Sequence, residues 1–151
     1  MLFLKGLAYA VHYLSAIIWI GGMFFAYVAL RPAAGMMEPD QRLTLWARTL
    51  SGFFPWVIVA IILLYTSGIY LILEHKLLST PIHVMIGLAV IMTLMFFHVY
   101  FAPFKRLKQN VIIKDWPAAG KNLAQIRLLV GINLSIGLAM VAIVTILRRL
   151  G

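Results

Sequence analysis

The sequence predicts an all-α integral membrane protein, a four-helix transmembrane bundle, and three observations support this prediction. Of the 151 residues, 64% are hydrophobic and only 11% are charged, whereas about a quarter of the residues in a soluble domain are charged. Four apolar segments are each long enough to cross a bilayer, which takes about 20 helical residues. The positive charges collect in the segments that would face one side of the membrane. We therefore expect one membrane domain over residues 1–151.

The four predicted spans are continuous apolar segments separated by more polar ones. They cover about residues 4–30, 53–73, 81–101 and 128–147. The connecting loops 31–52 and 102–127 carry nine lysines and arginines, against four on the opposite face. The positive-inside rule therefore places both loops in the cytoplasm and both termini on the periplasmic side. This orientation predicts a multi-pass protein of the bacterial inner (cytoplasmic) membrane.

Both predicted loops contain helix signals. Residues 40–48 predict an interfacial helix that runs into the second span, after Pro39 and before a kink at Pro55. In the second loop, Asp115 before Trp116 and Pro117 predicts a helix start. We expect this second helix to continue into the last span.

Three of the four histidines, His12, His83 and His98, lie inside predicted spans. A titratable side chain in hydrocarbon is costly, so it often marks a functional site. His12 and His83 both lie towards the predicted outer face, which makes them candidate axial ligands of haem iron in a b-type cytochrome. Trp19 shares the helix face of His12 and would either line a cofactor pocket or simply pack. Arg127 would either reach the cytoplasmic interface or bind a haem propionate or another anion.

His98 follows His83 by fifteen residues on the same helix, a separation of roughly 22 Å, so the two cannot share one metal. Met92, Met95 and His98 lie on one broad helix face. Thioether and imidazole groups suit Cu(I), and Met23, Met36 and Met37, towards the same side of the membrane, could complete such a site. Methionine is also an ordinary filler of apolar helices, so the structural interpretation stays open beside the copper interpretation.

Other classes of function lack the necessary residues. The sequence has no cysteine, which excludes disulfides, iron–sulfur clusters and thiolate-ligated haem. Its four carboxylates all lie in loops or at interfaces, so any catalysis would come from a cofactor, as in a haem-dependent membrane oxidoreductase. No nucleic-acid-binding module is recognisable. The expected partners are membrane lipids and a quinone, a porphyrin or another membrane redox carrier, with a homodimer or an accessory subunit of a larger complex as further expectations.

The first span also carries a family resemblance. Residues 12–25 include a histidine, then Trp19, Gly21 and Gly22, and an Arg31-Pro32 pair closes the span. This pattern resembles the CopD-like family of bacterial membrane proteins, and the likeness continues through His83, His98–Phe101, Lys105–Leu107 and the Asn133 region. The resemblance implies a copper-binding or copper-transport protein.

The chain also resembles a related group, the HemJ-type protoporphyrinogen oxidases, which have four helices and are thought to bind haem b. It differs from their pattern at Met85, where that group has lysine, and at Leu134, where it has glutamate. The main expectation is therefore an electron-transferring haem b protein with His12 and His83 as iron ligands. The alternative is a copper protein that uses His98, Met92 and Met95, with His12 on the side where copper enters.

Overall fold

The computed structural model describes residues 2–75 and 79–150, and this part of the chain is helical almost throughout. The helices are α1 (Leu2–Phe25), a π-helical turn (Ala26–Leu30), α2 (Arg31–Ala34), α3 (Pro39–His75), α4 (Thr80–Phe101), α5 (Pro103–Ile112) and α6 (Trp116–Leu150). Four long segments are apolar enough to cross a membrane. The predicted all-α bundle with four spanning helices is confirmed.

The predicted loops are largely helical. α3 begins at Pro39 and runs without a break past Pro55, so the predicted interfacial helix and second span form one helix. α6 likewise begins at Trp116, where the carboxylate of Asp115 accepts a hydrogen bond of 3.0 Å from the Ala118 amide and so caps the helix. The helices therefore extend well beyond the apolar segments, because polar residues outside the bilayer also favour helix.

The end of α1 widens into a π-helical turn just before Pro32. Proline lacks an amide hydrogen and its ring crowds the preceding turn, so a regular α-helix cannot continue unchanged there. The Arg31 amide instead donates to the carbonyl of Ala26. Tyr27, in this turn, packs against Gly131 of α6, where a Cβ atom would lie 3.0 Å from the tyrosine ring.

The bundle consists of two helix pairs, since α1 packs mainly on α3 and α4 mainly on α6. We call residues 15–61 and 92–137 the loop half, and residues 2–14, 62–75, 80–91 and 138–150 the terminal half. The buried hydrophobic residues of the described chain all lie in the loop half. Among the described side chains of the terminal half, only Ser67 is buried.

Large apolar side chains cover the outside of the spans. Ile17, Ile62, Leu94 and Val141 are all more than half exposed outside a membrane and would contact lipid chains in a bilayer. The predicted multi-pass membrane location and lipid contact are therefore supported. The side of the membrane that each end faces stays a prediction.

Candidate functional site

His12 lies half-buried against α3. Its Nδ1 is 3.0 Å from the hydroxyl oxygen of Ser67, and that hydroxyl donates to the carbonyl of Leu63. The hydroxyl proton is thus already used, so Nδ1–H is the donor to Ser67 and Nε2 keeps its lone pair. The imidazole also lies close to Gly68, where a Cβ atom would be 3.3 Å from His12 Cε1. The contacts of His12 are therefore those of a histidine that joins two helices.

His83 has different surroundings. Its side chain is exposed, and its Nδ1 donates to the carbonyl of Ser79 at 3.0 Å, within the first turn of α4. The Nδ1 contacts of His12 and His83 are thus with different elements, Ser67 of α3 and Ser79 before α4. Within residues 2–75 and 79–150, no three His, Cys, Asp or Glu side chains gather closely enough to hold a metal ion. Haem ligation by this pair stays a prediction.

The three candidate copper ligands of α4 also point in different directions. Met92 is 1% exposed and packs against Gly137 of α6. Met95 lines an internal cavity, whereas His98 is exposed. Successive residues of a helix turn by about 100°, so Met92 and His98 project roughly 120° apart. The side chains of Met92 and His98 are thus well separated around the helix, and binding of one ion by all three residues stays a prediction.

The internal cavity lies in the loop half and has a volume of about 50 Å³. Trp19, Met23, Met95, Arg127 and Asn133 are among its lining residues. Trp19 is buried and meets the ring of Phe96 edge-on, with 6.3 Å between the ring centroids. The predicted pocket residues Trp19 and Arg127 are thus neighbours of two methionines rather than of His12 or His83.

Unpartnered polar atoms collect around this cavity. Among the described residues, the buried side-chain nitrogen and oxygen atoms without a hydrogen-bond partner are Trp46 Nε1, Arg127 Nε and Asn133 Oδ1, and all three residues line the cavity. The amide nitrogen of Asn133 donates to the carbonyl of Met92 at 3.3 Å. This hydrogen bond joins α6 to α4, as is typical of an asparagine deep in a membrane span, and it fixes the orientation of the Asn133 amide.

Trp46 is the site residue that the sequence did not reveal. Its position among charged residues at a predicted interface favours an interfacial tryptophan, but the structure buries it, 5% exposed, beside Arg127. The regular spacing of Leu43, Trp46, Ala47 and Leu50 on one face of α3 was a signal that this face is buried.

A wider groove of about 410 Å³ opens beside the cavity. Arg31, Arg42 and Arg127 line it, and Tyr27, Arg31 and Arg127 also line the cavity. The two spaces are therefore neighbours, one apolar with methionines and one rich in arginine.

A family model described as CopD, Copper resistance protein D, matches residues 47–147, about two thirds of the chain. The chain belongs to the CopD family. No curated protein and no solved structure matches it. The family match includes Met92, Met95, His98, Arg127 and Asn133, while the resemblance within α1 lies outside the matched residues. Membership supports a copper-related membrane protein, the alternative drawn from the sequence, and gives no support to haem b or to the HemJ group.

Proposed function

We propose that this CopD-family chain handles copper in the bacterial inner membrane and binds Cu(I) inside the bundle through the thioethers of Met23 and Met95. The observation that carries the proposal is that these two methionines, from different helices, line one buried cavity in a member of a copper-resistance family. Soft thioether ligands favour Cu(I) over harder cations.

The surroundings of the two methionines support a small monovalent ion. Met23 is 4% exposed and Asn133 is 4% exposed, so water has little access from the surface. The Asn133 Oδ1 atom has no donor and could add a weak third contact to the ion. The cavity of about 50 Å³ is far below the roughly 300 Å³ at which drug-sized ligand pockets begin. A single ion fits this space better than a porphyrin.

Charge also favours Cu(I) over a divalent metal at this place. Arg127 lines the same cavity, and its guanidinium repels any cation in proportion to the charge of that cation. A divalent ion would be repelled about twice as strongly as Cu(I). His98, exposed on α4, is not part of this proposed ligand set, and Met92 acts through its carbonyl, which holds Asn133 in place.

The test is Cu(I) affinity of the purified protein in detergent, measured anaerobically by competition with a chromogenic Cu(I) chelator. Met23→Leu and Met95→Leu should each lower the affinity by about tenfold or more, since even outer partners of metal ligands contribute about 10–100-fold. Met92→Leu is the matched control, because it changes a buried methionine of the same helix that does not line the cavity. Met-to-Leu exchanges conserve volume and should preserve folding.

Two results would contradict the proposal. If Met92→Leu and His98→Ala lower the affinity and Met23→Leu does not, the ligands are the α4 group and the cavity is structural. If the wild-type protein has no measurable Cu(I) affinity but shows a Soret band that His12→Ala abolishes, the protein binds haem. The predicted quinone or porphyrin partner and the homodimer are outside this proposal.

A further inference from the structure

The groove at the loop half gathers three arginines from three separate elements. Arg31 begins α2, Arg42 lies in the first turns of α3, and Arg127 lies in α6. All three line the groove of about 410 Å³ together with Tyr27. Arg127 lies far from Arg31 and Arg42 in the sequence, so the cluster is a product of the fold rather than of a basic run in the chain.

Within residues 2–75 and 79–150, no carboxylate forms an ion pair with these arginines. The one ion pair within the described residues joins Lys5 and Glu74, which lie in the terminal half, at the opposite end of the bundle. Arg31, Arg42 and Arg127 line one groove, so their positive charges repel one another. Three guanidinium groups that repel one another at the edge of an apolar span would be stabilised by a bound anion.

Two of the guanidinium groups are held by aromatic rings. The Cζ of Arg31 lies 4.9 Å from the ring centroid of Tyr27, and the Cζ of Arg127 lies 5.8 Å from that of Trp46. These contacts limit the freedom of both side chains. Arg127 Nε is a buried donor without an acceptor, and Arg127 lines the groove. A buried donor without a partner is uncommon in folded proteins and indicates an acceptor supplied from outside the chain.

We propose that the arginine groove binds a phosphate group. A phosphate presents several acceptor oxygens and can accept paired hydrogen bonds from more than one guanidinium, which matches three arginines around one space. The same chemistry has two sources, the headgroup phosphate of an anionic phospholipid and free inorganic phosphate. Phosphate binding does not require bound copper, although the groove shares Tyr27, Arg31 and Arg127 with the methionine-lined cavity.

The experiment uses two probes on the full-length chain. In neutral detergent, inorganic phosphate is titrated against chloride at equal ionic strength and binding is read from the rise in unfolding temperature. In nanodiscs of phosphatidylcholine with or without phosphatidylglycerol, retained lipid is counted by native mass spectrometry. We expect Arg31→Gln and Arg42→Gln each to lower the affinity for whichever probe binds. The expected decrease is about tenfold to a hundredfold, which corresponds to the loss of one hydrogen bond to a charged group.

Arg48→Gln is the matched control, because Arg48 is an exposed arginine of the same helix that does not line the groove. Its loss should change binding by less than about twofold, since distant surface charges are screened. Arg127→Lys is a second variant that keeps the charge but removes the Nε–H donor, and it should also weaken binding.

Each outcome decides the proposal. Binding of phosphatidylglycerol alone that the groove variants weaken supports a lipid headgroup, and binding of inorganic phosphate alone supports a soluble anion. If the wild-type chain binds neither probe, or if Arg48→Gln weakens binding as much as Arg42→Gln, the groove is not a phosphate site.

Discussion

The loop half and the terminal half differ in how their helices hold together. In the loop half, α3, α4 and α5 meet in an aromatic cluster in which Phe54 lies 5.3 Å from Phe96 and 4.7 Å from Phe104, measured between ring centroids. Tyr100 contacts all three of these rings. Edge-to-face pairs at such distances stabilise a core beyond the burial of their surface.

The terminal half is joined by separate polar contacts instead. His12 meets Ser67, and Lys5 pairs with Glu74 at 2.8 Å. Lipid chains are as apolar as leucine, so exposed apolar side chains there give the helices little reason to associate. The cavity and the arginine groove thus lie in the half that contains the buried hydrophobic residues, whereas His12 and His83 lie in the half in which Ser67 is the only buried side chain among the described residues.

The largest expected effect on stability comes from a substitution in the aromatic cluster. Phe96→Ala removes a ring that contacts Trp19, Phe54, Phe97 and Tyr100 and should lower the free energy of unfolding by about 3 kcal/mol, the low end for Phe→Ala because lipid also solvates apolar groups. Unfolding in mixed micelles with sodium dodecyl sulfate, followed by tryptophan fluorescence, measures the change.

Tyr13→Ala is the matched aromatic variant in the terminal half. Tyr13 is 54% exposed; it stacks on Tyr9 with 6.0 Å between centroids and meets the ring of its neighbour His12 edge-on at 6.4 Å. Both partners lie in α1, so the loss of Tyr13 should remove contacts within one helix only and lower the free energy of unfolding by about 0.5–1.5 kcal/mol. Equal losses of stability for the two variants would show that the packed and open halves do not differ in strength.

A smaller effect is expected from the contact between α1 and α3. A Cβ atom at Gly22 would collide with the ring of Phe53, whereas a Cβ atom at Gly21 would meet nothing within 4 Å. Gly22→Ala should therefore destabilise the bundle by about 1–3 kcal/mol, as overpacking does, measured by the same unfolding experiment. Gly21→Ala is the control, and it should leave stability unchanged or raise it slightly, because alanine favours helix. If the Gly22→Ala protein is as stable as the Gly21→Ala protein, the ring of Phe53 adopts another rotamer without cost.

The sequence predicted the spans well because hydrophobicity and length alone decide which helices can cross a bilayer. It predicted the helix start at Asp115 because an aspartate directly before a helix can accept a hydrogen bond from the first turn of that helix. The sequence could not predict which faces of the helices contact one another. Trp46 and Met23 line the cavity because α1 and α3 pack together in one register, and nearly uniform apolar faces do not encode that register.

The histidines show the same limit. Depth in the membrane paired His12 with His83, but depth does not say which helix a side chain faces. His12 contacts Ser67 of α3, a contact that depth along the helix does not reveal. The Ser67–Gly68 pair, one small hydroxyl beside a residue without a side chain, is the local feature that makes room for an imidazole.

The contact between His12 and Ser67 should contribute modestly. Ser67→Ala leaves the His12 Nδ1–H without its acceptor and should lower the free energy of unfolding by about 0.6 kcal/mol, the average for interhelical hydrogen bonds in membranes. Thr66→Ala is the control, because the Thr66 hydroxyl bonds only carbonyls of its own helix and its removal should change stability less. Double substitution of His12 and Ser67 measures the coupling directly. A coupling near zero would show that the imidazole finds another acceptor.

The smallest effect is expected at the Lys5–Glu74 pair, which closes the far end of the terminal half. Both side chains are about a quarter exposed, 26% and 24%, and exposed ion pairs contribute little because water and salt screen them. Lys5→Gln should leave the unfolding midpoint unchanged within error, at low and at high salt. The contrary result would be a loss of stability in Lys5→Gln as large as that in Ser67→Ala, together with a wild-type stability that falls as salt is added. Such a result would mean that charge holds the terminal half together. The two halves would then differ in the kind of contact that joins their helices and not in the strength of that contact. A charge pair would stabilise one end of the bundle as the aromatic cluster stabilises the other.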